Sequence, residues 1–156
     1  MRGIENVLLV EDNPGDADLT REAFREAGMG DVKISVAWDG VEALSFLRRG
    51  AGFEHAARPG LIFLDLNLPK LSGRHVLEEI KRDPKLCQIP VIVLSSSDAP
   101  SDVGESYDRH ANCYLRKPLD FAEFIELLKL LKKFWFDVVE YPDLEKVRPG
   151  PRWNFR

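Results

Sequence analysis

A doubly wound parallel α/β sandwich of three layers is the fold this sequence predicts, on three observations. Five compact apolar runs alternate with stretches long enough to be amphipathic helices. Strands that alternate with helices require right-handed crossovers, which cover both faces of a parallel sheet. Two of the runs, Leu61-Ile62-Phe63-Leu64 and Val91-Ile92-Val93-Leu94, contain no polar residue, as expected of central strands buried on both faces.

The first run, Val7-Leu8-Leu9-Val10, ends in Glu11-Asp12-Asn13-Pro14-Gly15, where turn formers and helix-start residues coincide. A helix is expected over Asp16 to Ala27, with Ala17, Thr20, Ala23, Phe24 and Ala27 on one stripe and Gly28 stopping it. Val32-Lys33-Ile34-Ser35-Val36 alternates and reads as a strand with one wetter face. Asp39-Gly40 turns the chain into a helix over Val41 to Arg49, and Gly50 to Gly60 reads as an exposed loop. After the third strand, Pro69 and Gly73 precede a helix with Val76, Leu77 and Ile80 facing inward, ended by Asp83-Pro84. The helix expected near Ser101 to Arg109 is polar, contains Gly104 and has few anchors, so it suits a movable element. Cys113-Tyr114-Leu115 is the last strand, and a long helix is expected from Phe121 to about Val139.

A chain of 156 residues supports one domain with a sizeable core. It is 44% apolar and 31% charged with a formal net charge of −4, which gives no general attraction to nucleic acid. No segment is long and apolar enough to cross a bilayer. Residues 1–6 carry no apolar signal region and the two cysteines, Cys87 and Cys113, are too few for a secreted disulfide scaffold, so a cytoplasmic location is expected. His55, His75 and His110 lack ligand spacing.

The strand ends carry the chemistry. Glu11-Asp12, Asp39, Asp65, Ser95 and Lys117 each follow an apolar run, and in an open parallel sheet those ends share one edge, where ligands bind. Singly, each has an ordinary explanation as a cap, a turn former or a surface charge, and for Asp39 the cap suffices. Jointly they suit phosphoryl transfer. A carboxylate can attack a phosphoryl group and form an acyl phosphate, and Asp65 is the best placed. The repulsion between two anions calls for a divalent cation, expected to be Mg2+, with oxygens from Glu11, Asp12, Asp65 and the backbone carbonyl of Asn67. Asp12 is expected to be the more direct ligand, with Glu11 acting partly through water. Lys117 and the Ser95 hydroxyl would contact phosphoryl oxygens present only after transfer. That differential contact would draw the Ser95 loop inward, with Tyr114 filling the space vacated. A cis Lys117-Pro118 bond would aim Lys117 inward.

These residues resemble the receiver domain of two-component response regulators: Glu11-Asp12, Asp65 with Pro69 and Gly73, Ser95, Tyr114 and Lys117-Pro118. The resemblance covers roughly residues 6 to 135 and implies a flavodoxin-like fold, a sheet order of 2-1-3-4-5, and Mg2+-dependent phosphorylation of Asp65 by a phosphohistidine on a sensor histidine kinase. It also implies slow self-catalysed dephosphorylation, tuned at Asn67 and Ser97. The strings Ser106 to Leu115 and Phe134-Trp135-Phe136 are similar to single-domain regulators that partner phytochrome kinases. On this reading residues 1–139 are the receiver, and residues 140–156 are an extension. The last helix is apolar beyond one stripe, which suggests a homodimer through that helix and the extension. Roughly twenty residues follow that helix, too few for a helix-turn-helix output. Two alternatives are a phosphorylation-independent scaffold and an aspartyl-phosphate phosphatase of the haloacid-dehalogenase type. The phosphatase would want an acid where Asn67 stands.

Overall fold

The computed structural model describes residues 3–142. Five parallel strands form one sheet: β1 (Asn6–Val10), β2 (Lys33–Ala37), β3 (Leu61–Leu64), β4 (Val91–Ser95) and β5 (Cys113–Arg116). Their order is β2-β1-β3-β4-β5, as expected, with β1 in register Val10↔Ala37 on one side and Val10↔Leu64 on the other. The intervening helices are α1 (Pro14–Glu26), α2 (Gly40–Leu47), α3 (Gly73–Arg82), α4 (Pro100–Asp108) and α5 (Phe121–Leu131).

Alternation along each strand divides the core in two. Leu8, Val10, Ile62, Leu64, Val91 and Val93 face α2 and α3, where Ala43, Leu44, Leu47, Val76, Leu77 and Ile80 cover them. Val7, Leu9, Leu61, Phe63 and Ile92 face α1 and α5, meeting Ala17, Ala23, Phe24, Phe124 and Leu128. The rings of Phe24 and Phe63 meet edge to face at 5.6 Å.

Several boundaries differ from expectation for local reasons. Helix α1 begins at Pro14, because the Asn13 side chain accepts from the Asp16 N–H at 3.0 Å and proline tolerates the first helical position. Helix α2 likewise begins earlier, at Gly40, on the Asp39 cap. The expected α-helix to Val139 stops at Leu131 and widens into a π-helical turn over Lys132–Phe136. The wider turn lets Trp135 and Phe136 pack on the α1/α5 side of the core and leaves Leu130, Phe134 and Val138 exposed. Helix α4 is weakly anchored, with Ser106 alone buried and no side-chain bond at its N-cap.

Asp39 is a cap and does not join the other strand-end residues. It accepts from the Glu42 N–H at 2.8 Å and pairs with Lys70 at 3.1 Å. That backbone hydrogen bond, with help from Lys70, holds its carboxyl below the usual carboxylate range despite burial. With the folded pKa depressed, the stabilisation is complete above the unfolded aspartate's pKa and is lost as pH falls through the folded one. Asp39→Ala is therefore expected to cost about 1 kcal/mol at neutral pH, and the difference should shrink in acid. Urea unfolding of both chains at neutral and acidic pH checks this.

Candidate functional site

The parallel ladder continues one residue past the strands and so brings the acids together. The Glu11 N–H donates to the Ala37 carbonyl at 3.0 Å and the Asp65 N–H to the Val10 carbonyl at 3.1 Å, while the Lys117 N–H reaches the Ser95 carbonyl at 2.7 Å. Glu11, Asp12 and Asp65 each offer an oxygen to one space, all within 4.8 Å of one another. Glu11 is buried, Asp65 half-buried and Asp12 exposed. Glu11 accepts from the Asn13 N–H at 3.2 Å, and Asp65 Oδ1 accepts from the Asn67 N–H at 3.0 Å.

Lys117 Nζ stands 4.0 Å from Glu11 Oε2 and 4.0 Å from Asp16 Oδ2, with its ammonium 5.9 Å from the centre of the Phe124 ring. This aim needs no cis bond: the Lys117-Pro118 peptide is trans, which corrects the sequence expectation. The ladder contact at Ser95 and the packing over Phe124 direct the side chain instead.

Ser95 is buried, and its Oγ accepts from the Ser97 N–H at 3.2 Å. The Ser97 hydroxyl donates to Asp102 Oδ2 at 2.5 Å, and the Tyr114 hydroxyl donates to the Ser97 carbonyl at 2.8 Å. Tyr114 already packs on the α2/α3 side of the core in this state.

Residues 7–139 match the response regulator receiver domain. The chain belongs to that family. This receiver is 40% identical over 136 residues to response regulator Rcp1 of Synechocystis, covering 87% of this chain and 92% of the relative. A probable methanogenesis regulatory protein, FilR2 of Methanothrix harundinacea, is 40% identical across 83% of this chain and 82% of its own. Among solved structures, the phosphorylated cyanobacterial phytochrome response regulator RcpA superposes with a TM-score of 0.83 at 41% identity, over 88% of this chain and 98% of that one. The Mn2+-bound form of Rcp1 superposes at 0.81 with 40% identity, over 88% of this chain and 99% of that one.

The receiver's acid cluster has donor chemistry suited to a hard divalent cation, three carboxylates offering oxygen alone. It also has the electrostatic strain that a cation relieves. Burial, and next the Asp65 charge, push Glu11 up to about 7, while burial raises Asp65. Mg2+ is therefore expected to raise the melting temperature, by the equivalent of about 2.7 kcal/mol at one hundred times Kd. Asp12→Ala should blunt that rise and chelation should reverse it, as calorimetry with and without EDTA will read.

Three participants were not anticipated from the sequence: Asp16 beside Lys117, and the pair Arg74 and Asp102 behind Ser97. Asp16 lies in the first turn of α1, directly after the Glu11-Asp12 strand end, a position that could have signalled it. Arg74 and Asp102 lie 28 positions apart, on α3 and α4, and only packing joins them.

Proposed function

We propose that Asp65 accepts a phosphoryl group from a phosphohistidine of a sensor histidine kinase, and that this receiver signals through the resulting change in its contacts. The observation that carries the reading is the convergence of Glu11, Asp12 and Asp65 on one space, with Lys117 directed toward it. An Asp65 oxygen attacks phosphorus, a new O–P bond forms, and the donor's N–P bond breaks with its electron pair returning to the imidazole. Glu11, Asp12, Asp65 and the Asn67 carbonyl would hold Mg2+, whose charge offsets repulsion between carboxylate and phosphoryl oxygens. Lys117 and the Ser95 hydroxyl donate to the phosphoryl oxygens once they arrive, and Tyr114 follows the Ser95 loop. Asn67, two residues after Asp65, and Ser97, two after Ser95, tune the lifetime of the acyl phosphate, which the protein forms and hydrolyses slowly by itself.

The similarity to Rcp1 and RcpA supports a phytochrome-type kinase as donor. The receiver unit is residues 1–139, followed by an extension over 140–156, whose part from residue 143 onward lies outside the described residues. Leu130 on α5, Phe134 in the π-helical turn and Val138 just beyond it are exposed and favour a homodimer through the end of the last helix. A cytoplasmic location belongs to the same reading; among the described residues no helix is long and apolar enough to cross a membrane.

Incubation with a small acyl phosphate and Mg2+, followed by intact mass, tests the central claim. One added phosphoryl group is expected. Continuous turnover of the acyl phosphate would point to a phosphatase, and no uptake to a scaffold.

A further inference from the structure

Helix α4 has few anchors of its own. Its one buried residue is Ser106, its N-cap Ala99 makes no side-chain bond, and Gly104 borders open space. Yet the segment that leads into it carries Ser95 and Ser97, so something else must fix that segment.

Besides the Tyr107 hydroxyl, which accepts from the Tyr114 N–H at 3.2 Å, and the Arg116–Asp98 pair at 3.1 Å, the fixing contacts converge on one guanidinium. Arg74, in the first turn of α3, hydrogen-bonds Asp102 Oδ1, and its Nε lies 2.7 Å from Glu105 Oε2. Asp102 and Glu105 are three residues apart and share a face of α4. The other Asp102 oxygen receives the Ser97 hydroxyl at 2.5 Å, and Ser97 Oγ accepts from the Ala99 N–H at 3.2 Å. Thus fixed, Ser97 presents its N–H to Ser95 Oγ and its carbonyl to the Tyr114 hydroxyl. Ser95, used as an acceptor, keeps its own proton for donation. The Arg74 and Asp102 side chains are 29% and 22% exposed, against 67% and 44% for the surface pair Arg25–Glu22. The α3–α4 pair is thus less screened by solvent and salt than that surface pair. The preceding residue, Gly73, lies against the Asp65 carbonyl, so this turn of α3 touches the backbone of the candidate phosphoacceptor as well.

We infer that Arg74 is a positioning residue for the phosphoryl response: through Asp102 and Ser97 it holds the Ser95 loop and Tyr114 in the arrangement that a modified Asp65 requires. The inference rests on the phosphoacceptor reading. Without Arg74 the loop samples other arrangements, and apparent affinity for a phosphoryl group falls with the competent fraction.

The test is binding of beryllofluoride, a phosphoryl analogue, to the full chain with Mg2+. Arg74→Met is expected to weaken it about three- to tenfold, with Mg2+ affinity unchanged and the amide resonances of Ser97 and Ala99 shifted. Arg74→Lys, which keeps one cation on Asp102, should fall between. In a Ser97→Ala background Arg74→Met should add little, because the relay is already cut. Wild-type affinity in Arg74→Met with those resonances unmoved would overturn the inference. So would a full additional loss in the Ser97→Ala background, or a parallel fall in Mg2+ affinity, which marks general damage. Asp102→Asn provides a second cut should Arg74→Met not fold. If wild type and Asp65→Asn alike fail to bind beryllofluoride, the phosphoacceptor reading itself fails.

Discussion

Asp65→Asn is expected to eliminate phosphoryl uptake entirely while making the Mg2+-free protein more stable. Both effects have one cause. The amide keeps the shape of the side chain but is a poor nucleophile, so no acyl phosphate can form. It also removes one charge from a half-buried group in which burial and mutual repulsion already push Glu11 up to about 7. Relief of that repulsion is expected to add about 1 kcal/mol to the stability without Mg2+. Intact mass after acyl phosphate treatment reads the first effect, and urea unfolding in EDTA reads the second. Loss of labelling together with a fall in stability would indicate damage to the fold.

Gly73→Ala is expected to destabilise the protein by about 2–3 kcal/mol and to weaken Mg2+ binding with it. A Cβ at this position would stand 2.2 Å from the Asp65 carbonyl oxygen and 2.6 Å from Leu66 Cα. Both are backbone atoms, and Gly73 also donates its N–H to the Leu66 carbonyl at 3.0 Å. Neither side can yield without moving α3 away from the end of β3, where Asp65 sits. Gly104→Ala is the matched control. Nothing lies within 4 Å of a Cβ there, so the substitution should stabilise α4 by about 0.5–1 kcal/mol. Denaturation of the two variants side by side separates a glycine required by close approach from one that is merely tolerated.

Most of the site could be read from local pattern because each strand end announces itself twice. An apolar run stops, and a residue of phosphoryl chemistry follows; Asp65 after Leu61–Leu64 and Lys117 after the short run at Cys113 are examples. Asp39 shows the limit of that rule. It ends β2 as Asp65 ends β3, but its carboxylate caps α2 and pairs with Lys70. The last helix shows another limit: its apolar residues predicted one long α-helix, whereas packing of Trp135 and Phe136 accompanies a π-helical turn after Leu131.

Alternating hydrophobicity and turn chemistry determined the layers and the edge on which the functional groups gather, because strand period and strand termination are local properties of the chain. The direction of the Lys117 side chain and the bridge from Arg74 through Asp102 to Ser97 were decided only in three dimensions. Those contacts join residues on separate elements, and long side chains choose partners by which elements pack together, a choice that no spacing along the chain records.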